Sequence, residues 1–115
     1  MTRYITRFAP SPTGNLHIGS ARTALINYIF TNQHPDSKFY LRIEDTDKIR
    51  STEEFKENII SGLQWLGIKW DNDPQIQSLN IARHIEVAKN LLKNKKAYKC
   101  ICNEDQLTER RKKIN

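Results

Sequence analysis

The spacing of hydrophobic and polar positions changes along the chain and predicts the order of its strands and helices. Residues 4–9 (YITRFA) are rich in β-branched and aromatic side chains and predict a strand, which the turn-forming run PSPTGN ends. Residues 38–44 (KFYLRIE) alternate, so Phe39, Leu41 and Ile43 are expected on one buried face of a second strand. Residues 97–102 (AYKCIC) predict a third strand.

Helical spacing follows each of the first two strands. The first helix is expected to begin near residues 18–20 and to bury the positions Ala21, Ala24, Leu25, Tyr28 and Ile29. Ser51 with Glu54 forms a capping-box pattern that opens a second helix, and Gly67 is a natural residue to end it. The buried stripe predicted for that helix is Phe55, Ile59, Leu63 and Leu66.

The remainder of the pattern predicts two more helices and sets the fold class. Residues 79–94 carry Ile81, Ile85, Ala88 and Leu92 on one face, and Asn103 with Gln106 caps a last helix. Strands that alternate with helices predict an α/β fold in which helices flank a parallel sheet.

The composition is that of an ordinary globular protein, with 37% hydrophobic and 28% charged residues. No apolar run approaches the ~20 residues of a membrane span, and the first residues lack the apolar segment of a signal peptide. A cytoplasmic location and no membrane partner are therefore expected. Cys100 and Cys102 are too close in sequence for an unstrained disulfide, which favours free or metal-bound thiols in a reducing compartment.

The net charge of +6 lies in one part of the chain. Residues 1–82 hold nine Lys/Arg and nine Asp/Glu, whereas residues 83–115 hold ten against four. Such clustered positive charge favours a polyanion such as RNA, but it is equally typical of a solvated helix face. Both interpretations stay open.

The loop between the first strand and the first helix carries the candidate chemistry. Loops that enter helices at the carboxyl ends of strands bind ligands in α/β folds, and helix N-termini favour phosphate. Gly14 and Gly19 flank His17, which is placed to donate a hydrogen bond to a phosphate oxygen. By general rules this pattern is weak, because it is neither a GxGxxG nor a GxxxxGK[ST] motif.

Residues 7–24 (RFAPSPTGNLHIGSARTA) resemble the signature of the class I glutamyl-tRNA synthetases, and the central HIGS is similar to the class I His-x-Gly-His motif. LRIEDTD at 41–47, RS at 50–51, WLG at 65–67, WD at 70–71, QS at 77–78 and AYKCIC at 97–102 are similar to the same family, in the same order. The resemblance implies an incomplete Rossmann-like fold. Residues 1–115 would be the N-terminal portion of the catalytic domain, with a connective, acceptor-binding region from about residue 97.

The resemblance also implies a reaction, which is ATP-dependent attachment of glutamate to tRNA(Glu) through glutamyl-adenylate, with Mg²⁺ accompanying ATP. A monomer is expected for the full enzyme. The family's second ATP motif, Lys-Met-Ser-Lys-Ser, does not occur in these residues, so the isolated chain is expected to be inactive. Two alternatives stay open: an inactive fragment that only binds nucleotide or RNA, and a glutamyl-queuosine tRNA synthetase.

Site residues follow from the resemblance position by position. The ATP-side positions, of which His17 and Gly19 are the catalytic pair, are Thr13, Gly14, His17, Gly19 and Ser20. The glutamate-contacting positions are Arg7, Ala9, Ser11 and Glu44. No tRNA-contacting residue is assigned. Thr13 also fits a turn role, and Arg7 and Glu44 also fit a pairing with each other or with solvent.

Two further groups of side chains have open roles. Asp45, Asp47 and Arg50 follow Glu44 and would either order their loop or meet the tRNA end. Cys100 and Cys102 resemble half of a zinc site of some family members, and zinc needs four ligands. Two unliganded thiols are the alternative.

Overall fold

A computed structural model describes residues 2–113 of the chain. The elements are β1 (Ile5–Phe8), α1 (Ile18–Asn32), β2 (Lys38–Ile43), α2 (Glu53–Trp65), β3 (Gln75–Ile76), a 3₁₀ helix (Gln77–Asn80), α3 (Ile81–Lys93) and α4 (Glu104–Lys112). The chain divides into two compact units, residues 1–81 and residues 82–115. Among the described residues, no helix combines the length and apolar character that crossing a membrane requires.

The first unit contains a three-stranded parallel sheet with the order β1-β2-β3. Phe8 pairs with Leu41, and Arg42 pairs with Gln75. Helices α1 and α2 supply the crossovers that parallel strands need, so the predicted α/β fold class is confirmed. The predicted third strand is wrong, because residues 97–102 form no strand. The third strand of the sheet is instead the short β3.

The core lies on one face of this sheet. Phe39, Leu41 and Ile43 are buried, as their alternation predicts, and they pack with Ile59 and Leu63 of α2. The same cluster contains Phe8, Ala24 and Ile68. Since both helices contribute to this cluster, the residues that alternate with it on β2 project from the opposite face of the sheet.

Two details of the helices differ from the sequence prediction. In α1 the buried residues are Ala24 and Thr31, whereas Leu25 and Ile29 are 41% and 46% exposed. The reason is a side-chain hydrogen bond between Thr31 and Thr6, 2.6 Å long, which turns the Thr31 side of the helix toward β1.

In α2 the cap is Thr52, whose hydroxyl accepts from the backbone N–H of Phe55 at 3.1 Å, so the capping box predicted at Ser51 is wrong. Ile59 and Leu63 are buried as expected, but Leu66 is 41% exposed. Gly67 ends the helix with a φ of 74°, which confirms its predicted role.

The second unit contains α3 and α4, and the described residues between them, 94–103, form neither helix nor strand. Asn103 and Gln106 form the predicted capping box at the start of α4, with hydrogen bonds of 2.9 and 3.1 Å between each side chain and the other residue's backbone N–H. The apolar stripe predicted for α3 is not buried, and Ile85 is 50% exposed.

Candidate active site

The loop between β1 and α1 is held from two directions. The carbonyl of Pro10 accepts the backbone N–H of Glu44 at 2.8 Å, and the carbonyl of Pro12 accepts that of Thr52 at 3.2 Å. The Pro12 side chain is fully buried. The loop is thus fixed against the end of β2 and the start of α2, which is the carboxyl-end location that α/β folds use for ligands.

His17 is the N-cap residue of α1, with extended backbone angles, and its side chain is exposed. The Ser20 hydroxyl bridges the backbone carbonyl of His17 at 2.9 Å and its backbone N–H at 3.3 Å. Ser20 therefore fixes the first turn of the helix. His17 thus lies at the N-terminus of α1, where a helix attracts anions.

Gly19 leaves space for the imidazole. A Cβ atom at Gly19 would lie 3.1 Å from Cε1 and 3.2 Å from Nδ1 of His17, which is tighter than ordinary van der Waals contact. A larger residue would push the ring aside. This contact is a structural reason for glycine at position 19.

Five of the predicted site residues line one cavity of about 220 Å³: Ser11, Thr13, Gly14, His17 and Ser20. Phe8 and Ile59 form its apolar wall. Pockets that enclose a whole ligand usually hold about 300 Å³ or more. The recess is smaller than such a pocket, and Gly19 is not among its lining residues.

The other predicted glutamate-side residues lie elsewhere. Arg7 is exposed on β1 opposite Tyr40 of β2, and Ala9 is half-buried directly after β1. Glu44 is half-buried and follows β2. Strand alternation and the parallel register put Arg7, Tyr40, Arg42 and Glu44 on the sheet face opposite the core. Within the described chain, the ion-pair partner of Glu44 is Arg42 and not Arg7.

Sequence reasoning missed Arg42. The signal was available, because residues two apart on a strand share a face and these two carry opposite charges. The alternation of β2 places Arg42 on the same face as Glu44, but it does not by itself show that the two side chains pair.

The acidic loop after Glu44 is ordered by its own carboxylates. Asp45 accepts from the backbone N–H of Ser78 at 2.8 Å and also from its hydroxyl. Asp47 accepts from Nε of Arg50 at 2.6 Å and from the backbone N–H groups of Ile49 and Arg50 at 3.2 Å. The hydrogen bonds from Arg50 lower the pKa of Asp47. The loop-ordering role expected for these residues is present in the structure.

The two cysteines lie in the second unit, where Cys100 is exposed and Cys102 is half-buried. Hydrogen bonds from the backbone and the side chain of Cys102 lower the pKa of the Cys100 thiol. Across residues 2–113, no three His, Cys, Asp or Glu side chains come together in a way that could hold a metal ion. The described residues do not form a four-ligand zinc site, and the half-site stays a prediction.

Comparison with known proteins shows which family the chain belongs to. A family model described as "tRNA synthetases class I (E and Q), catalytic domain" matches residues 4–115. The chain belongs to this family. The resemblance that the sequence of this class I synthetase segment indicated is therefore confirmed.

Two relatives of this synthetase segment are named glutamate–tRNA ligases. Glutamate–tRNA ligase 1 of Orientia tsutsugamushi is 57% identical over 107 residues, which cover 93% of this chain and 22% of that protein. Glutamate–tRNA ligase 2 of Rickettsia prowazekii is 56% identical over 111 residues, which cover 96% and 23%. The chain spans less than a quarter of the length of these two relatives.

Solved structures agree with the fold. The glutamate–tRNA synthetase of Elizabethkingia anophelis matches with a TM-score of 0.72 and 38% identity over 80% of this chain and 20% of that one. A glutamate–tRNA ligase of Elizabethkingia meningosepticum, solved in complex with its amino acid, matches with a TM-score of 0.73 and 33% identity over 95% and 23%. The sheet and helices described above are thus those of this enzyme group.

Proposed function

We propose that this chain forms one wall of the ATP and glutamate site of a glutamate–tRNA ligase. The observation that carries the proposal is the position of His17, at the N-terminus of α1, on a recess that Ser11, Thr13, Gly14 and Ser20 also line. A helix N-terminus with a neighbouring ring donor suits a phosphate group.

In the proposed reaction a carboxylate oxygen of glutamate attacks the α-phosphorus of ATP, and pyrophosphate leaves. The acyl group of glutamyl-adenylate then moves to the terminal adenosine of tRNA(Glu), and AMP leaves. His17 would donate a hydrogen bond to the α-phosphate as negative charge develops there. Mg²⁺ would accompany ATP and offset the charge of its phosphates.

The substrate glutamate offers two carboxylates and one ammonium. On the open sheet face Arg7 presents a planar set of donors that suits a carboxylate, and Glu44 suits the ammonium. Ala9 and Ser11, in the loop between β1 and α1, would also contact the substrate glutamate. The matched ligase of Elizabethkingia meningosepticum was solved in complex with its amino acid, which supports an amino-acid ligand for the proposed enzyme.

Exposed lysines of the second unit support tRNA as the macromolecular partner. Lys89 and Lys93 of α3 and the following Lys95, Lys96 and Lys99 are all exposed. If they contact RNA phosphates, the affinity of the chain for tRNA falls steeply as salt rises. The zinc half-site, a monomeric full enzyme and a cytoplasmic location stay predictions. The reported relatives are named glutamate–tRNA ligases, which favours that activity over glutamylation of queuosine.

Exchange of pyrophosphate into ATP tests the proposal. The chain would replace the aligned segment of the Orientia tsutsugamushi ligase. The resulting protein is the Orientia chimera. With glutamate, ATP, Mg²⁺ and tRNA(Glu), the chimera should exchange pyrophosphate, and glutamine in place of glutamate should not support exchange. A folded chimera without exchange would contradict the proposal.

The isolated 115 residues should show no exchange above the rate of their own His17→Ala variant. The recess they form is smaller than an ATP site, and the second ATP motif is absent from their sequence. If the isolated chain binds ATP or tRNA without making adenylate, the chain alone is a binding fragment.

A further inference from the structure

Helix α2 reaches the loop that precedes His17 through one side chain. The backbone N–H of Leu16 donates to Oδ1 of Asn58 at 2.9 Å. Leu16 directly precedes His17, and its side chain packs against the core cluster. The peptide group between Asn15 and Leu16, one residue before His17, is thus held by a residue 42 positions further along the chain than Leu16.

A second contact lies one helical turn further on α2. A Cβ atom at Gly62 would lie 2.7 Å from Cδ2 of Leu16, a distance that real Cβ atoms essentially never show. Asn58 and Gly62 are four residues apart and therefore share one face of the helix. Glycine at 62 lets α2 approach closely enough for Asn58 to reach the loop.

We propose that Asn58 and Gly62 are positioning residues for His17. Asn58 fixes the backbone at Leu16 by accepting its N–H, and Gly62 admits the Leu16 side chain against α2. Together they set where the first turn of α1 and the imidazole lie relative to the recess, which Ile59 of the same helix also lines. The expected effect on ATP binding rests on the proposed function. The expected effect on the backbone at Leu16 does not.

Amide hydrogen exchange in the 115-residue chain tests the loop directly. Asn58→Leu keeps a similar side-chain volume without an acceptor, and Asn58→Asp keeps an acceptor oxygen. Loss of one hydrogen bond should speed exchange of the Leu16 N–H about fivefold in Asn58→Leu, since such bonds have modest net strength. Asn58→Asp should stay near the unaltered chain. Equal exchange in all three proteins would overturn the assignment of Asn58.

Kinetics of the Orientia chimera test the consequence for ATP. Asn58→Leu and Gly62→Ala should each raise KM for ATP about threefold to tenfold, as displaced positioning groups do, while KM for glutamate stays unchanged. Glu57→Ala, at the exposed neighbour on α2, is the matched control and should leave both constants unchanged. Unchanged KM for ATP, or an equal rise in both constants, would overturn the positioning role.

The two experiments separate this inference from the proposed function. If the unaltered chimera shows no exchange of pyrophosphate, the proposed function fails, and the amide-exchange result alone decides whether Asn58 holds the loop. The other outcome is that the chimera is active while Asn58→Leu changes neither the amide exchange of Leu16 in the chain nor the KM for ATP of the chimera. In that case this inference fails and the proposed function stands.

Discussion

Arg42 donates a hydrogen bond from Nη2 to Oε1 of Glu44, two residues further along the same face of the sheet. The two side chains are 29% and 31% exposed, so water screens the pair only in part. Among the described residues, no acceptor contacts the buried Nε of Arg42. Glu44 is thus paired with a partly buried cation on the sheet face opposite the core.

This pairing predicts that Arg42 positions Glu44 for glutamate. In the Orientia chimera, Arg42→Gln should raise KM for glutamate about tenfold, which corresponds to the loss of one charge-assisted hydrogen bond. KM for ATP should change little, because Arg42 does not line the recess that contains His17. Arg42→Lys should recover part of the loss. A glutamate KM unaffected by Arg42→Gln would contradict this role.

His17 should carry the largest single effect on adenylate formation. In the proposed mechanism, replacing it with Ala removes a donor to the developing charge, and such donors are worth about 10²–10³ in rate. The rate of pyrophosphate exchange by the Orientia chimera should therefore fall by about that factor. His84→Ala is the control, because His84 is exposed on α3 and distant in sequence from the loop. Similar exchange rates for the His17→Ala and His84→Ala variants would contradict a role of His17 in adenylate formation.

Stability of the first unit should fall in acid. The backbone N–H of Phe39 donates to Asp71 at 2.9 Å, and this bond, with the nearby Lys38 ammonium, lowers the pKa of Asp71 despite partial burial. Burial raises the pKa of Asp45, but hydrogen bonds from the side chain and backbone of Ser78 outweigh it and the net pKa is lowered.

A lowered folded-state pKa contributes stability that is present above the unfolded pKa of about 4 and is lost as pH falls through the folded value. The thermal midpoint should therefore drop as the pH is lowered from about 4 toward 2. Asp71→Asn, which cannot ionise, should show a shallower drop when melting is followed by circular dichroism across this range. An unchanged pH dependence in that variant would contradict the assignment.

Gly67 should be sensitive to a methyl group because of its backbone angle. Its φ of 74° lies in the left-handed region, where an L side chain costs about 1 kcal/mol. Gly67→Ala should lower the free energy of unfolding by about that amount in urea titrations. Gly14→Ala is the matched control for stability, since a Cβ there meets no atom within 4 Å. Equal losses in the two variants would refute the conformational explanation.

Elements whose signals are local could be predicted from the amino-acid sequence alone. The alternation of residues 38–44 predicted β2 and its buried face, because side chains on a strand point alternately to opposite sides. Gly67 and the pair Asn103 and Gln106 were recognised for the same reason, since a cap depends on residues only a few positions away. The motif order was enough to indicate the family that the comparison then confirmed.

Tertiary structure decided what depends on distant partners. The two-residue β3 is a strand because β2 offers it hydrogen bonds across more than 30 positions, whereas residues 97–102 have suitable side chains and form no strand. The bonds from Leu16 to Asn58 and from Ser78 to Asp45 likewise join residues far apart in sequence. Local spacing carries no information about such contacts, because they form only when the chain brings both partners together.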